Sequence, residues 1–444
     1  MGMTGLGRRA LLGSLAPALG GCGLWDRAFG ETKPPLPGER FAVLPREASA
    51  EPDPSLAAAP IELPAPVQNA SWPVPGGRPN NVPGHVAAAD TLALAWRTGV
   101  GSGATSRRRL LASPVIADGR VFAADALGDV AALDLRDGRT LWRRSVRAEG
   151  TRGNLLGAGV AFADGRVHVA SGLAEVVSLA AETGAELWRS PLPSPSRGAV
   201  TVAEGRVIVL TVEGEVVCLD AASGDRRWVY RGPSETTTLL GAPAPAVDEG
   251  FVLVGFPNGD AAALRFDNGR AVWTEGLGAA RGRPSIVDIA AIRGRPAIDR
   301  GRGVLASSGG VTMAIDMRSG RRVWERVIAS RESPCICGDW VFLLSSQEVL
   351  LALRRADGRV KWAAELPRWR DPQRRRDPVV WTGPLLAGDR LIVAGSLGEA
   401  LALSPYTGEV LGRQRLGSGC SVPPVAADGT VVFLSDDATV VALR

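Results

Sequence analysis

The chain has 444 residues, of which 45% are hydrophobic and 5% aromatic, so it is long enough for two or three small domains or one large repeat architecture. Its 55 glycines and 32 prolines follow no triplet period, which excludes a collagen-like chain and predicts many tight turns. Fifty-one basic against 46 acidic residues give a formal net charge of +5, and the arginines are scattered singly over most of the chain. This distribution argues against nucleic acid as a partner.

Residues 1–21 have the pattern of an export signal: a pair of arginines, a moderately apolar stretch over residues 10–19, and two glycines before Cys22. This pattern resembles the bacterial lipoprotein signal, and the resemblance implies a lipid on Cys22. The apolar stretch is shorter than the roughly 20 residues that span a bilayer as a helix. Gly23 follows the cysteine where an aspartate would favour the inner membrane, so we expect the outer membrane. An uncleaved signal anchor and an ordinary secreted protein are the alternatives, and the export route, Sec or twin-arginine, stays open.

Residues 22–84 are rich in proline and alanine and have little apolar periodicity. Proline cannot continue a helix or a central strand, so this segment is predicted to be an extended, mobile tether. The remaining residues, 85–444, are predicted to form one folded domain.

The folded domain is built from an internal repeat. Similar units begin near Ser113, Gly159 and Ala199, each with four short strands separated by glycine turns, and related units follow at intervals of roughly 40 to 50 residues. This period and strand count predict the blades of an all-β propeller.

The turn before the last strand of each unit fixes the register of the repeat. A glycine with positive φ is expected there, and a tryptophan four residues later is expected to fill the space between neighbouring blades. Six units have this pair and a seventh has glycine in place of the tryptophan: Gly138/Trp142, Gly184/Trp188, Gly224/Trp228, Gly269/Trp273, Gly320/Trp324, Gly358/Trp362 and Gly408/Gly412.

An eighth unit starts near Ser421 and contains only three strands. Residues 92–96 have the alternation and the tryptophan of the missing fourth strand, so an N-terminal strand is predicted to complete the last blade and remove two exposed edges. The predicted fold is an eight-bladed propeller of four-stranded antiparallel blades; seven or nine blades are the alternatives if an irregular unit is miscounted. Two insertions, residues 278–303 and 367–381, are expected to carry binding specificity or to be solvated surface loops.

Residues able to do chemistry are few. His85 and His168 are the only histidines, and His168 lies within a predicted strand, where a structural role is expected. Cys335 and Cys337 are one residue apart without a second pair nearby, which does not make a zinc site. Together with Cys218 and Cys420 they are expected to be buried small residues, and their disulfide state stays open. The sequence therefore predicts no catalytic residue, no cofactor and no metal.

The blade pattern ADGRV…ALD…TGxxLW resembles the pyrroloquinoline-quinone-type repeat that quinoprotein dehydrogenases share with the outer-membrane protein assembly factor BamB family. Residues 33–40, residues 72–77 and the last strands at 427–444 are similar to the BamB family, as is the lipoprotein signal. The dehydrogenases carry two adjacent cysteines against a quinone and a calcium ion with an aspartate base, and this chain has no adjacent cysteines. A dehydrogenase-like protein and a periplasmic sensor or peptidoglycan-binding propeller remain the alternatives.

The resemblance to the BamB family implies a non-enzymatic scaffold of the BAM complex on the periplasmic face of the outer membrane. Its expected partners are BamA, other BAM subunits and unfolded outer-membrane β-barrel proteins, whose insertion it would assist. In that family a Leu-x-Leu-Arg-Gly stretch and an aspartate-containing loop bind BamA. Here Tyr230 and Arg231 match the first, with aromatics for the leucines, and Asp288 matches the second, while Ala291 replaces another acidic residue. The alternative is that these residues only pack blades and form turns; the docking face and the barrel substrates are left open.

Overall fold

The computed structural model describes residues 50–147, 158–234, 241–277 and 290–444. Within these ranges the chain forms eight four-stranded antiparallel sheets, one two-stranded hairpin and a short 3-10 helix at Pro54–Leu56. The sheets are the blades of an eight-bladed β-propeller, as the repeat predicts. None of the helices within the described ranges has the length and apolar character needed to cross a bilayer.

The first four blades follow the chain order, each beginning at its innermost strand. A separate strand, β1 (Leu94–Gly99), precedes them in the chain. Their strands are β2 (Val115–Ala117), β3 (Arg120–Ala124), β4 (Asp129–Asp134) and β5 (Thr140–Ser145) in blade 1; β6 (Ala158–Ala163), β7 (Arg166–Ser171), β8 (Glu175–Ala180) and β9 (Glu186–Pro191) in blade 2; β10 (Thr201–Ala203), β11 (Arg206–Leu210), β12 (Glu215–Asp220) and β13 (Arg226–Arg231) in blade 3; and β14 (Ala246–Asp248), β15 (Phe251–Gly255), β16 (Asp260–Arg265) and β17 (Ala271–Gly276) in blade 4.

The other four blades continue in the same way, with a hairpin inserted between blades 6 and 7. Their strands are β18 (Ala297–Asp299), β19 (Arg302–Ala306), β20 (Thr312–Asp316) and β21 (Arg322–Arg326) in blade 5; β22 (Cys335–Cys337), β23 (Trp340–Leu344), β24 (Val349–Arg354) and β25 (Val360–Glu365) in blade 6; β26 (Trp369–Asp371) and β27 (Arg376–Pro378) in the hairpin; β28 (Trp381–Leu386), β29 (Leu391–Gly395), β30 (Glu399–Leu403) and β31 (Val410–Arg415) in blade 7; and β32 (Val425–Ala427), β33 (Thr430–Leu434) and β34 (Thr439–Leu443) in blade 8.

Burial differs sharply between the inner and outer strands of a blade. In blade 1 the four central residues of β4 are buried, whereas most residues of the outer strand β5 are exposed. Neighbouring blades pack face to face, so both faces of the inner strands are covered and their apolar runs are continuous rather than alternating. The core therefore lies between the blades.

The conserved spacing of glycine and tryptophan within the repeat corresponds to a contact between blades. The Trp142 indole donates a hydrogen bond from Nε1 to the Ala181 carbonyl of the next blade, at 2.9 Å. Gly184, whose φ is +70°, lies directly under the Trp142 ring, and a Cβ there would overlap the ring. Glycine is thus needed both for the turn and for the close approach of the indole.

Strand β1 lies next to the last strand of the chain. It pairs antiparallel with β34, with Leu94 opposite Leu443 and Gly99 opposite Thr439, in the sheet order β1-β34-β33-β32. Strand β1 is thus the edge strand of this four-stranded sheet.

Residues 53–90, which we call the strap, lie against the propeller. Trp72 is 3% exposed and pairs with Ile116 of β2, and the carbonyl of Pro73 accepts a hydrogen bond from Phe162 N–H of β6 at 2.7 Å. Further along, the carbonyls of Pro79 and Asn80 accept from the first strands of blades 4 and 5.

The packed unit therefore begins well before residue 85, where the sequence analysis placed its start. The physical reason is that each proline removes only its own N–H donor, whereas the carbonyl acceptors, the apolar side chains and the other amides, such as Trp72 N–H, remain able to bond. The strap can therefore pair with strands of another element without forming a sheet of its own.

Candidate partner-binding surface

Tyr230 lies on β13, the outer strand of blade 3, opposite Val216. Its ring is half-buried and packs against Phe256 of blade 4, with ring centroids 6.2 Å apart. Burial raises the pKa of the Tyr230 phenol above its usual value. Tyr230 therefore belongs partly to the packing between blades 3 and 4 and is partly available at the surface.

Arg231 is the last residue of β13, and its side chain is 85% exposed. Its Nε lies 3.4 Å from a carboxylate oxygen of Glu215, the residue opposite it on β12. A pair this exposed contributes little to stability, so the guanidinium remains available for a partner.

Gly232 turns the chain directly after Arg231. Its N–H donates to the Gly214 carbonyl at 3.0 Å, and a Cβ on Gly232 would overlap the Phe256 ring. Only glycine fits this close approach, which explains why the arginine is followed by glycine here. The Arg-Gly sequence thus forms a corner that holds the arginine at the surface.

Asp288, the other residue expected at the interface, lies outside the described residues, as does Cys22. The chain that follows Asp288 is described, and Ile292 N–H donates to the Phe256 carbonyl at 3.2 Å. Ala291 is 3% exposed, so this position is part of the core rather than of a surface. Phe256 is therefore contacted by Tyr230 through its ring and by Ile292 through its backbone, which brings these two residues to the same blade.

A cavity lined by charged residues from several blades was not predicted by the sequence analysis. It measures about 270 Å³ and is lined by segments that precede the first strands of several blades, among them Arg109, Arg293, Arg331 and Glu332. Arg293 lies 3.5 Å from Glu332, whose other oxygen accepts a hydrogen bond from the Thr382 hydroxyl at 2.8 Å. Single arginines in separate repeats give no sequence signal that they meet at one cavity.

Glu348 is paired with one of these arginines. Arg331 lies 3.7 Å from a carboxylate oxygen of Glu348, and Trp381 N–H donates to the other oxygen at 3.0 Å. Burial raises the pKa of Glu348 to about 7, against the smaller opposing effects of this hydrogen bond and of Arg331. Glu348 therefore lies behind two residues that line the cavity, Arg331 and Trp381, and does not line it itself.

The histidines and cysteines are placed in the core. His85 is buried, and its Nε2 accepts a hydrogen bond from Asp389 N–H at 2.9 Å. Cys218, Cys335, Cys337 and Cys420 are all buried free thiols, as expected for small core residues. Within the described ranges, three or more histidine, cysteine or acidic side chains nowhere gather as they would around a metal ion.

A family model described as "Outer membrane protein assembly factor BamB" matches residues 78–156, 127–364 and 368–444, which is well over half of the chain. The chain belongs to the BamB family. BamB from Alkalilimnicola ehrlichii is 30% identical over 208 residues, which are 47% of this chain and 52% of that protein. BamB from Legionella pneumophila is 26% identical over 199 residues, 45% of this chain and 50% of the relative. The chain thus spans about half the length of these BamB relatives.

Solved structures show how widely this propeller is shared. BamB from Moraxella catarrhalis superposes with a TM-score of 0.66 at 21% identity, over 80% of this chain and all of that one. A quinohemoprotein alcohol dehydrogenase from Comamonas testosteroni superposes with a TM-score of 0.65 at 16% identity, over 85% of this chain and 81% of that one. The fold alone thus does not separate BamB from the dehydrogenases, whereas the family model does.

Proposed function

We propose that the chain is a non-enzymatic scaffold of the BAM complex that binds BamA, contacts other BAM subunits and assists the insertion of β-barrel proteins into the outer membrane. The observation that carries this proposal is the match of the BamB family model along residues 78–444. The name of the BamB family describes assembly rather than a chemical reaction, which favours a binding role for the propeller of this chain.

The proposed contact with BamA is the corner formed by Tyr230 and Arg231, together with the loop that contains Asp288. Arginine and tyrosine are frequent at the centres of protein interfaces, because a planar guanidinium binds carboxylates in a bidentate way and a phenol ring offers a large flat contact. The exposed guanidinium of Arg231 and the half-buried ring of Tyr230 support this assignment.

The proposed contact with unfolded barrel proteins is β-augmentation. Each blade ends in an outer strand, such as β13 or β31, whose outer edge pairs with no other strand of its sheet. An extended polypeptide can add to such an edge through backbone hydrogen bonds. We also infer that β1 closes the ring by completing blade 8. Blade 8 then has four strands and one outer edge strand, as the other blades have.

The proposed anchor is a lipid on Cys22 after removal of residues 1–21, followed by a proline-rich tether that leads to the strap. This arrangement places the propeller on the periplasmic face of the outer membrane.

The experiment that tests the scaffold role is a mild-detergent pull-down of the tagged protein from its own envelope, with identification of the bound proteins. We expect recovery of an outer-membrane barrel with periplasmic repeat domains, strongly reduced by Arg231→Glu. The matched control is Arg415→Glu, because Arg415 ends β31 opposite Glu399 just as Arg231 ends β13 opposite Glu215.

Equal loss in both arginine variants would argue against a specific contact at Arg231. Recovery of no barrel, combined with quinone-dependent dye reduction by the purified protein, would favour the dehydrogenase alternative.

A further inference from the structure

Seven of the eight junctions between blades are filled by the same group. At each, a tryptophan on the outer strand of one blade donates its indole N–H to a carbonyl of the next blade, at distances between 2.8 and 3.1 Å. The pairs are Trp96 with Leu135, Trp142 with Ala181, Trp188 with Ala221, Trp228 with Phe266, Trp273 with Met317, Trp324 with Arg355 and Trp362 with Pro405.

The eighth junction, between blades 7 and 8, lacks this tryptophan. Gly412 on β31 pairs with Ala402 on β30, in the register in which Trp362 pairs with Ala352 in blade 6. A Cβ built on Gly412 would meet no atom within 4 Å, so the place of the indole is open space.

The exposure of Ala402, which lies opposite Gly412 on β30, confirms that no other described residue fills the space of the missing indole. Ala402 is half-buried. The residue opposite the tryptophan is fully buried, at 0% exposure, in each of the other seven blades: Ala132, Ser178, Cys218, Ala263, Ala314, Ala352 and Ala442.

The open space is a mainly apolar cavity of about 250 Å³. It is lined by Leu92, Ile392, Leu411, Phe433 and Leu443, and also by Arg390, which precedes β29, and by Arg413 and Gln414 of β31. A cavity of about 150 Å³ lined by leucine, isoleucine and phenylalanine is enough to bind benzene, so this one has room for a larger ring.

We propose that this junction is a binding site for an aromatic side chain, tryptophan first, presented by an extended segment of a partner polypeptide. The seven filled junctions define the chemistry of the occupant, because in each of them the same kind of pocket holds an indole carried by a β-strand. The outer edge of β31 pairs with no other strand of its sheet. An extended segment can therefore lie along this edge, beside the cavity, and carry its aromatic side chain as the strands at the seven filled junctions carry theirs. The proposal is independent of the contact at Arg231.

The test measures binding of a short soluble peptide with one central tryptophan, labelled with a fluorophore, by fluorescence polarisation. We expect saturable binding to the full chain and at least about tenfold weaker binding of the same peptide with serine in place of tryptophan. Gly412→Trp should fill the cavity from within, weaken peptide binding by a similar factor and raise the melting temperature.

The matched control is Leu187→Trp, which adds a tryptophan to the exposed outer strand β9 at the position equivalent to Leu411 without touching the junction. This variant should bind the peptide as the unmodified chain does. Ala402→Phe fills the same cavity from β30 and replaces Gly412→Trp if that variant does not fold. Binding that is absent in the unmodified chain, or that is unchanged in both folded cavity-filling variants, would overturn the proposal.

Discussion

Single residues inside the blades show where the repeat departs from its own rule. His168 occupies a position that is apolar in every other blade, for example Phe122 in blade 1 and Phe342 in blade 6. It is 0% exposed, neither ring nitrogen has a hydrogen-bond partner within the described residues, and the ring lies 5.5 Å from that of Trp188. A buried polar ring without partners costs stability, which makes this position a specific target.

Burial lowers the pKa of His168 to about 4, from an ordinary value of 6.5. Between these values the unfolded chain binds a proton that the folded chain does not, so this group lowers the stability of the fold as the pH falls from 6.5 towards 4. We expect His168→Phe to be more stable by roughly 1–2 kcal/mol near neutral pH, with a larger gain at pH 5.

Urea unfolding of the His168→Phe variant at several pH values measures both effects. The reverse change, Phe122→His, is the matched control and should create the same pH-dependent loss in blade 1, where Phe122 contacts Trp142 at 6.0 Å. A His168→Phe variant that kept the full pH dependence of the unmodified chain would contradict the assignment.

At the scale of elements, the strap changes how the propeller is held together. It contributes buried side chains, such as Trp72 and Val74, and backbone hydrogen bonds to the first strands of several blades. Those first strands are short, with three residues in β2, β10 and β14, and the strap gives some of them a further partner. The strap therefore acts as a structural element in its own right.

We expect Trp72→Ala to loosen the strap, with a loss of about 3–5 kcal/mol of local stability, because the indole is 3% exposed and donates to the Pro75 carbonyl at 3.2 Å. Hydrogen exchange measures this directly. The amides of Ile116 and Phe162, which donate to strap carbonyls, should exchange faster, whereas amides inside β23 should not change. Unchanged exchange at Ile116 and Phe162 would show that the strap does not depend on Trp72.

At the scale of the whole molecule, the proposed role requires a rigid ring held near a membrane. The ring has an exposed arginine at Arg231, a cavity lined by charged residues of several blades, and one incompletely filled junction, each in a different part of the described chain.

We expect Cys22→Ala to release the protein from the membrane fraction while the propeller still folds, because the strands of the blades lie within residues 94–443. Fractionation of the envelope followed by detection of the chain measures the release, and circular dichroism of the purified variant checks the fold. A Cys22→Ala variant that stayed in the outer-membrane fraction would contradict the lipid anchor.

The sequence by itself determined the blades, because the signals for them are local. A glycine turn and a tryptophan four residues later recur with the repeat, so the register, the outer strands and the junction without tryptophan at Gly412 can all be read along the chain. The same spacing located Tyr230 and Arg231 at the end of an outer strand.

Only the tertiary structure decided what happens between distant segments. The proline and alanine content of residues 53–84 predicts an extended tether whether or not the folded chain offers a surface for it to pack against. Trp72 is buried because β2 lies beside it, and this contact exists only in the tertiary structure. Arg293 and Arg331 belong to different blades and meet only when the ring is formed. Gly412 leaves an open cavity because no other described residue occupies the space, which no local pattern specifies.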